Sequence, residues 1–186
     1  ATQLVQPAAR PWQPPTPSPT MRHAPIDQAV FTAHRQQLAA ALPPKSIAIV
    51  HAADTLPTTG DGVLRLVPAA DLFWLTGIEQ VETTLVLAPD AVDPAQRVML
   101  FIRQPNEQLA TWEGQSLSKD QARATSGVAS IRWASDLPAV LHSLMVSSER
   151  VFLNANEHER ASLEVEQRDL RLARQLIARY PLHRFE

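Results

Sequence analysis

The residues best suited to acid–base or metal chemistry are six histidines (His23, His34, His51, His142, His158 and His183) and a scatter of carboxylates. Metal-assisted hydrolysis needs such ligands clustered, and the His-Glu-x-x-His pattern does not occur. His158-Glu159 falls in a charged helical stretch and reads as a solvated surface. His51 ends a predicted strand and heads a long loop, a place that suits function as well as a hydrogen-bonded structural role. Asp54, Asp61, Asp71, Glu79 and Glu82 would form a divalent-metal or paired-carboxylate site if they converged. Their spacing matches no ligand pattern and fits caps, turns and ion pairs. Nucleophilic hydrolysis lacks its parts, since there is no Gly-x-Ser-x-Gly elbow and no cysteine. Five glycines supply no Gly-x-Gly-x-x-Gly or Walker loop, and Gly60-Asp61-Gly62 reads as a tight turn.

Four tryptophans are the other chemical resource. Trp74 and Trp133 sit in strand-like apolar patterns and are expected in or beside the core. Trp12 lies in a proline-rich tail. Trp112 follows a polar stretch and precedes Glu113-Gly114, which suits a displayed anchor at a pocket wall or assembly surface.

The elements that must position these residues alternate in type. Residues 1–25 hold seven of the 16 prolines and no acidic residue, so they are expected to be a flexible or extraneous tail. Pro11-Trp12-Gln13-Pro14 and Pro14-Pro15-Thr16-Pro17 fit a PxxP pattern, which offers a polyproline II ligand to a partner. A helix is predicted over 26–42, capped by Asp27, with Val30, Phe31, Leu38 and Leu42 on its apolar stripe. Strands are predicted over 46–50, 72–75, 83–88, 97–102, 130–133 and 150–154. The second and third of these are joined by a turn around Gly77. Helices are expected over 108–112, over 118–125 with Ser118 as cap and Gly127 as stop, and over 136–146 with Asp136 as cap. A long charged helix over 157–180 has Leu163, Leu170, Ala173 and Ile177 as a narrow stripe. Together these predict a three-layer α/β/α domain with a mixed sheet of about six strands. The domain is expected over 26–180, with 181–186 beginning a linker.

Charge and composition remove other classes. A net charge of −2 and a pI near 6.3 argue against nucleic-acid or anionic-membrane partners. No apolar run is long enough to span a bilayer. The missing cysteines and the lack of a signal-peptide start predict a cytoplasmic protein.

The run Asp71-Leu72-Phe73-Trp74-Leu75-Thr76-Gly77, the apolar stretch Thr83–Ala88, and Thr111-Trp112-Glu113-Gly114 together carry a resemblance. With the 26–42 helix, the Ser46–His51 strand, Arg65 and Phe101-Ile102-Arg103 in the right order, the chain resembles the N-terminal domain of the Xaa-Pro aminopeptidase (aminopeptidase P), prolidase and creatinase family. The resemblance implies a creatinase-like N-terminal fold and a separate catalytic domain. That domain would hold two divalent metals, manganese by expectation, and release an N-terminal residue preceding proline. It implies no catalytic or metal-binding residue in this chain and no activity for the chain alone. Its expected partners are its own catalytic domain, neighbouring subunits, and peptides with proline second. By position, Trp112 would reach a neighbouring subunit's substrate entrance, with Arg65 and Asp61 near the same opening. Val67-Pro68-Ala69-Ala70 and Gln80-Val81-Glu82 depart from the family pattern.

Two further readings stand beside this one. The first is a stand-alone peptide- or protein-binding module without activity. The second is a hydrolase with an RNase-H-like carboxylate site, which requires the five carboxylates above to meet.

Overall fold

The computed structural model describes residues 26–53, 69–105, 116–154, 166 and 168–186. Among these residues six strands form one sheet: β1 (Ser46–His51), β2 (Thr84–Leu87), β3 (Val98–Ile102), β4 (Ser130–Trp133), β5 (Arg150–Leu153) and β6 (Arg184–Phe185). Their spatial order is β4-β3-β2-β1-β5-β6. β2 is antiparallel to both β1 and β3, while β3 with β4, β1 with β5, and β5 with β6 are parallel. Five strands therefore run one way and β2 alone runs back, which is the mixed sheet expected from sequence.

Period-two alternation builds both faces. Ala48, Val50, Leu85, Leu87, Leu100, Ile102 and Ile131 point to one side, under α1 (Gln28–Ala41), α2 (Ala70–Thr76) and α3 (Lys119–Ser126). Ile47, Ile49, Val86, Met99, Phe101 and Val151 point to the other side, under α4 (Leu137–Ser147) and α5 (Arg168–Arg179). The near-continuous apolar runs of the central strands follow from burial on both faces.

Helix ends behave largely as their residues dictate. Asp27 caps α1 by accepting from the Ala29 N–H at 2.9 Å. Ser118 and Gln121 form a reciprocal capping box on α3, and Gly127 ends it at φ 70°. Asp136 precedes α4 without bonding to it, because Ala134–Asp136 is a 3-10 turn already in helical conformation. A capping side chain needs an extended backbone at that position.

Residues 72–75 depart from the strand expectation. Ala70–Thr76 is helical, with Leu72, Leu75 and Thr76 buried at i, i+3 and i+4 spacing. Phe73 and Trp74 give the stretch a strand-like composition, but Phe73 is half-buried with its ring edge-on to that of Phe31, and Trp74 faces outward. Trp74 is 59% exposed, not core. On α1, Phe31 and not Val30 enters the core, and on α5 Leu176 is buried while Leu170 and Ile177 are exposed. Leu163 and residues 108–112 lie outside the described residues. Pro181 follows α5, and residues 181–186 then contribute β6, whose Val151–Phe185 register extends the sheet beyond β5. None of the described helices is long and apolar enough to cross a membrane.

α1 holds the α2–α3 side together through side chains that finish its neighbours. The Arg35 side chain, 4% exposed, donates from Nη1 to the Leu75 carbonyl at 2.7 Å and from Nη2 to Thr32 Oγ1 at 3.1 Å. Burial lowers its pKa, yet a guanidinium remains charged at neutral pH. His34 Nδ1 lies 2.8 Å from the Trp74 carbonyl and must donate, because a carbonyl only accepts. The Gly77 N–H bonds the Phe73 carbonyl at 2.7 Å. Three of the four carbonyls that α2 leaves open at its C-terminus are thus satisfied.

Gly77 is at φ 68°, and a Cβ there would meet the Phe31 ring at 2.5 Å. Gly77→Ala is therefore expected to cost more than the about 1–2 kcal/mol of left-handed strain alone, read as a lower urea midpoint. Arg35→Ala should lose about 2–3 kcal/mol, because the Leu75 carbonyl is left buried without its charged donor. A loss within about 0.5 kcal/mol, the range of an ordinary surface change, would show that the guanidinium does not hold α2.

Candidate functional site at the carboxyl end of the sheet

Because β2 alone is reversed, the carboxyl ends of β1, β3, β4, β5 and β6 lie at one end of the sheet. β1 and β3 flank β2, so they are about two strand spacings, roughly 10 Å, apart. Residues 54–68 follow closely on β1 and residues 106–115 on β3. Asp61, Arg65 and Trp112 belong to these stretches and lie outside the described residues, as do Asp54, His23 and His158. In open α/β sheets, ligands bind beyond the strand carboxyl ends, which makes this rim the candidate site.

The rim is built from short polar contacts. His51 is buried at the end of β1, with Nδ1 3.3 Å from Thr84 Oγ1 on β2. Its backbone N–H donates to Asn154 Oδ1, just past β5, at 3.3 Å. His51 thus ties three strands together, which favours the structural reading of this histidine. The Ala52 N–H continues the β1–β2 ladder to the Thr83 carbonyl at 2.8 Å. At the β4 end, the Lys119 ammonium lies 4.4 Å from the Trp133 ring centre, a cation–π contact on a half-buried indole.

The Gln80-Val81-Glu82 segment, between α2 and β2, has a definite job. Gln80 Oε1 accepts the Leu117 N–H at 2.6 Å, at the return from residues 106–115. Glu82, at φ 56°, places a carboxylate oxygen 3.9 Å from Arg103 Nη1, at the departure towards those residues. One turn between α2 and β2 therefore contacts both flanks of the Trp112 segment. Nothing in residue type announced this. The contacts arise only when β2 is seated between β1 and β3.

The described carboxylates do not assemble. Asp71 is in the first turn of α2 while Glu79 lies beyond its end, with about 7 Å of helix between Asp71 and Thr76. Glu82 is paired with Arg103. Among the described residues, no three His, Asp or Glu side chains are grouped to hold a metal ion. The RNase-H-like reading finds no support among them.

A family model described as the aminopeptidase P N-terminal domain matches residues 31–152, well over half of the chain. The chain belongs to the aminopeptidase P N-terminal domain family. Solved structures agree in fold. A Bacillus anthracis protein described as a candidate aminopeptidase P superposes with a TM-score of 0.76 at 20% identity, over 87% of this chain and 38% of that one. The Pseudomonas aeruginosa aminopeptidase PepP gives 0.66 at 22%, over 87% and 36%. Escherichia coli aminopeptidase P with the inhibitor Pro-Leu gives 0.61 at 23%, over 74% and 31%. The chain thus spans about a third of the length of these structures. Comparison with curated protein sequences gave no match.

Gln80→Ala should raise amide hydrogen exchange at Leu117 while leaving the Ala52 amide, inside the β1–β2 ladder, protected. Equal exchange of Leu117 in the variant and the parent would show that Gln80 does not tether the segment.

Proposed function

We propose that this domain is the non-catalytic N-terminal part of an Xaa-Pro aminopeptidase-like metallopeptidase, contributing to oligomer assembly and to the shape of the substrate entrance. The observation that carries the reading is topological. The segments bearing Asp61, Arg65 and Trp112 spring from the same end of the sheet, beyond two strands separated only by β2. In this reading Trp112 is an aromatic wall for a peptide with proline second, and Arg65 and Asp61 set the charge of the opening. The hydrolytic chemistry belongs to a separate domain that holds two divalent metals, manganese by expectation, where a bound metal activates water. The domain's partners are that catalytic domain and neighbouring subunits, in a cytoplasmic setting.

The described residues supply a sheet end tethered by Gln80, Glu82 and His51, which is the kind of support that an entrance loop needs.

The test is Xaa-Pro dipeptide and tripeptide hydrolysis with added manganese, for this chain and for a longer one that includes a catalytic domain. Hydrolysis is expected only from the longer chain. Within it, Trp112→Ala should raise KM more than it lowers kcat, as loss of a substrate-positioning contact does. Turnover by the 186-residue chain would overturn the accessory role. An unchanged KM in the Trp112 variant would overturn the entrance role.

A further inference from the structure

The outer face of α1 and α2 carries an apolar surface that the fold itself does not use. Val30 and His34, at i and i+4, lie one above the other on α1, and Ile26 precedes the helix cap Asp27. Ile26 is 41% and Val30 42% exposed. Trp74 on α2 closes the line, its indole stacked on the His34 ring at 3.6 Å between centres and 8° between planes. The His34 ring is itself fixed by its bond to the Trp74 carbonyl at 2.8 Å. An indole that is 59% exposed yet locked by a stacked, hydrogen-bonded partner is a pre-organised aromatic platform. Freely solvated tryptophans have no reason to be held this way.

Pre-formed aromatic surfaces flanked by aliphatic groups bind extended proline-rich segments, whose polyproline II form loses little entropy on docking. The chain supplies such a segment next to this surface. Seven prolines and Trp12 lie in residues 1–25, and the segment ends at Pro25, immediately before Ile26.

We propose that residues 7–19 dock in cis, as a polyproline II strand, along the face formed by Ile26, Val30, His34 and Trp74. The reach is sufficient. Val30 to His34 spans about 6 Å of helix, which about two polyproline II residues cover at roughly 3.1 Å each. Residues 20–25 remain to reverse the chain. Tethering raises the local concentration of the segment to the millimolar range, so a contact too weak for two separate molecules still forms. Pro11-Trp12-Gln13-Pro14 places a proline on either side of an indole that can pair with Trp74. The inference does not depend on the proposed entrance role, since the face lies on the helices and not at the strand ends.

The chain has no cysteine, so Ser18→Cys accepts a single nitroxide label. In a 15N-labelled sample, the label is expected to broaden the amides of Val30, His34 and Trp74, and not those of Val92 or Leu170. The broadening should be lost in Trp74→Ala. It should also be lost when Pro11→Ala, Pro14→Ala and Pro17→Ala are combined, changes that leave the folded residues intact if the Trp74 variant does not fold. Broadening that is absent, or spread evenly over the domain, overturns the proposal. So does broadening of unlabelled 15N chains mixed with labelled 14N chains, which would make a second copy the occupant.

Discussion

The buried guanidinium of Arg35 is the constraint on which the layer of α1, α2 and α3 depends. A charge in a core is costly unless its donors are matched, and Arg35 is matched by the Leu75 carbonyl and by Thr32. That requirement fixes where α2 must end relative to α1. The end is then reinforced by Gly77, whose bare α-carbon admits the Phe31 ring, and by His34 on the next carbonyl back. Thr76 completes it, donating to the Leu72 carbonyl at 2.7 Å and accepting from the Ile78 N–H at 3.1 Å. The end of α3 repeats this device. Ser126 donates to the Ala122 carbonyl at 2.7 Å and accepts from the Val128 N–H at 3.1 Å, while Gly127 faces Thr32. One turn of α1, bearing Phe31, Thr32 and Arg35, thus seats two helices that stop in the same way.

From those fixed ends the rest of the rim follows. Gly77 turns the chain out of α2 and into the segment holding Gln80 and Glu82, and β2 then enters the sheet between β1 and β3. The reversal of β2 brings its start to the carboxyl ends of its neighbours. That is why His51 can reach Thr84, and why Gln80 and Glu82 can contact the flanks of a segment that begins beyond β3. Helix termination and sheet direction are two aspects of one arrangement.

The run Asp71–Gly77, which carries part of the resemblance, acquires a physical meaning in these terms. Leu72 and Leu75 anchor α2 in the core, Thr76 and Gly77 end it, and the backbone carbonyls of Trp74 and Leu75 receive His34 and Arg35. The run describes how a helix is seated.

Much of this was legible in the residues. Alternating apolar runs determined the central strands and their burial on two faces. Asp27, Ser118 and Gly127 determined helix limits, because capping is a local transaction between a side chain and the nearest backbone groups. The missing cysteines and phosphate-loop motifs were legible in the same way. Only the tertiary structure decided that Ala70–Thr76 is a helix, since its aromatic residues suit a strand as well, and burial of Leu72, Leu75 and Thr76 settles the period. It also decided which side of α5 faces inward, that Arg35 is buried, and that Gln80 and Glu82 hold the flanks of a distant segment. Such pairings join residues far apart in the chain, and no local periodicity encodes a partner that arrives only when the sheet closes.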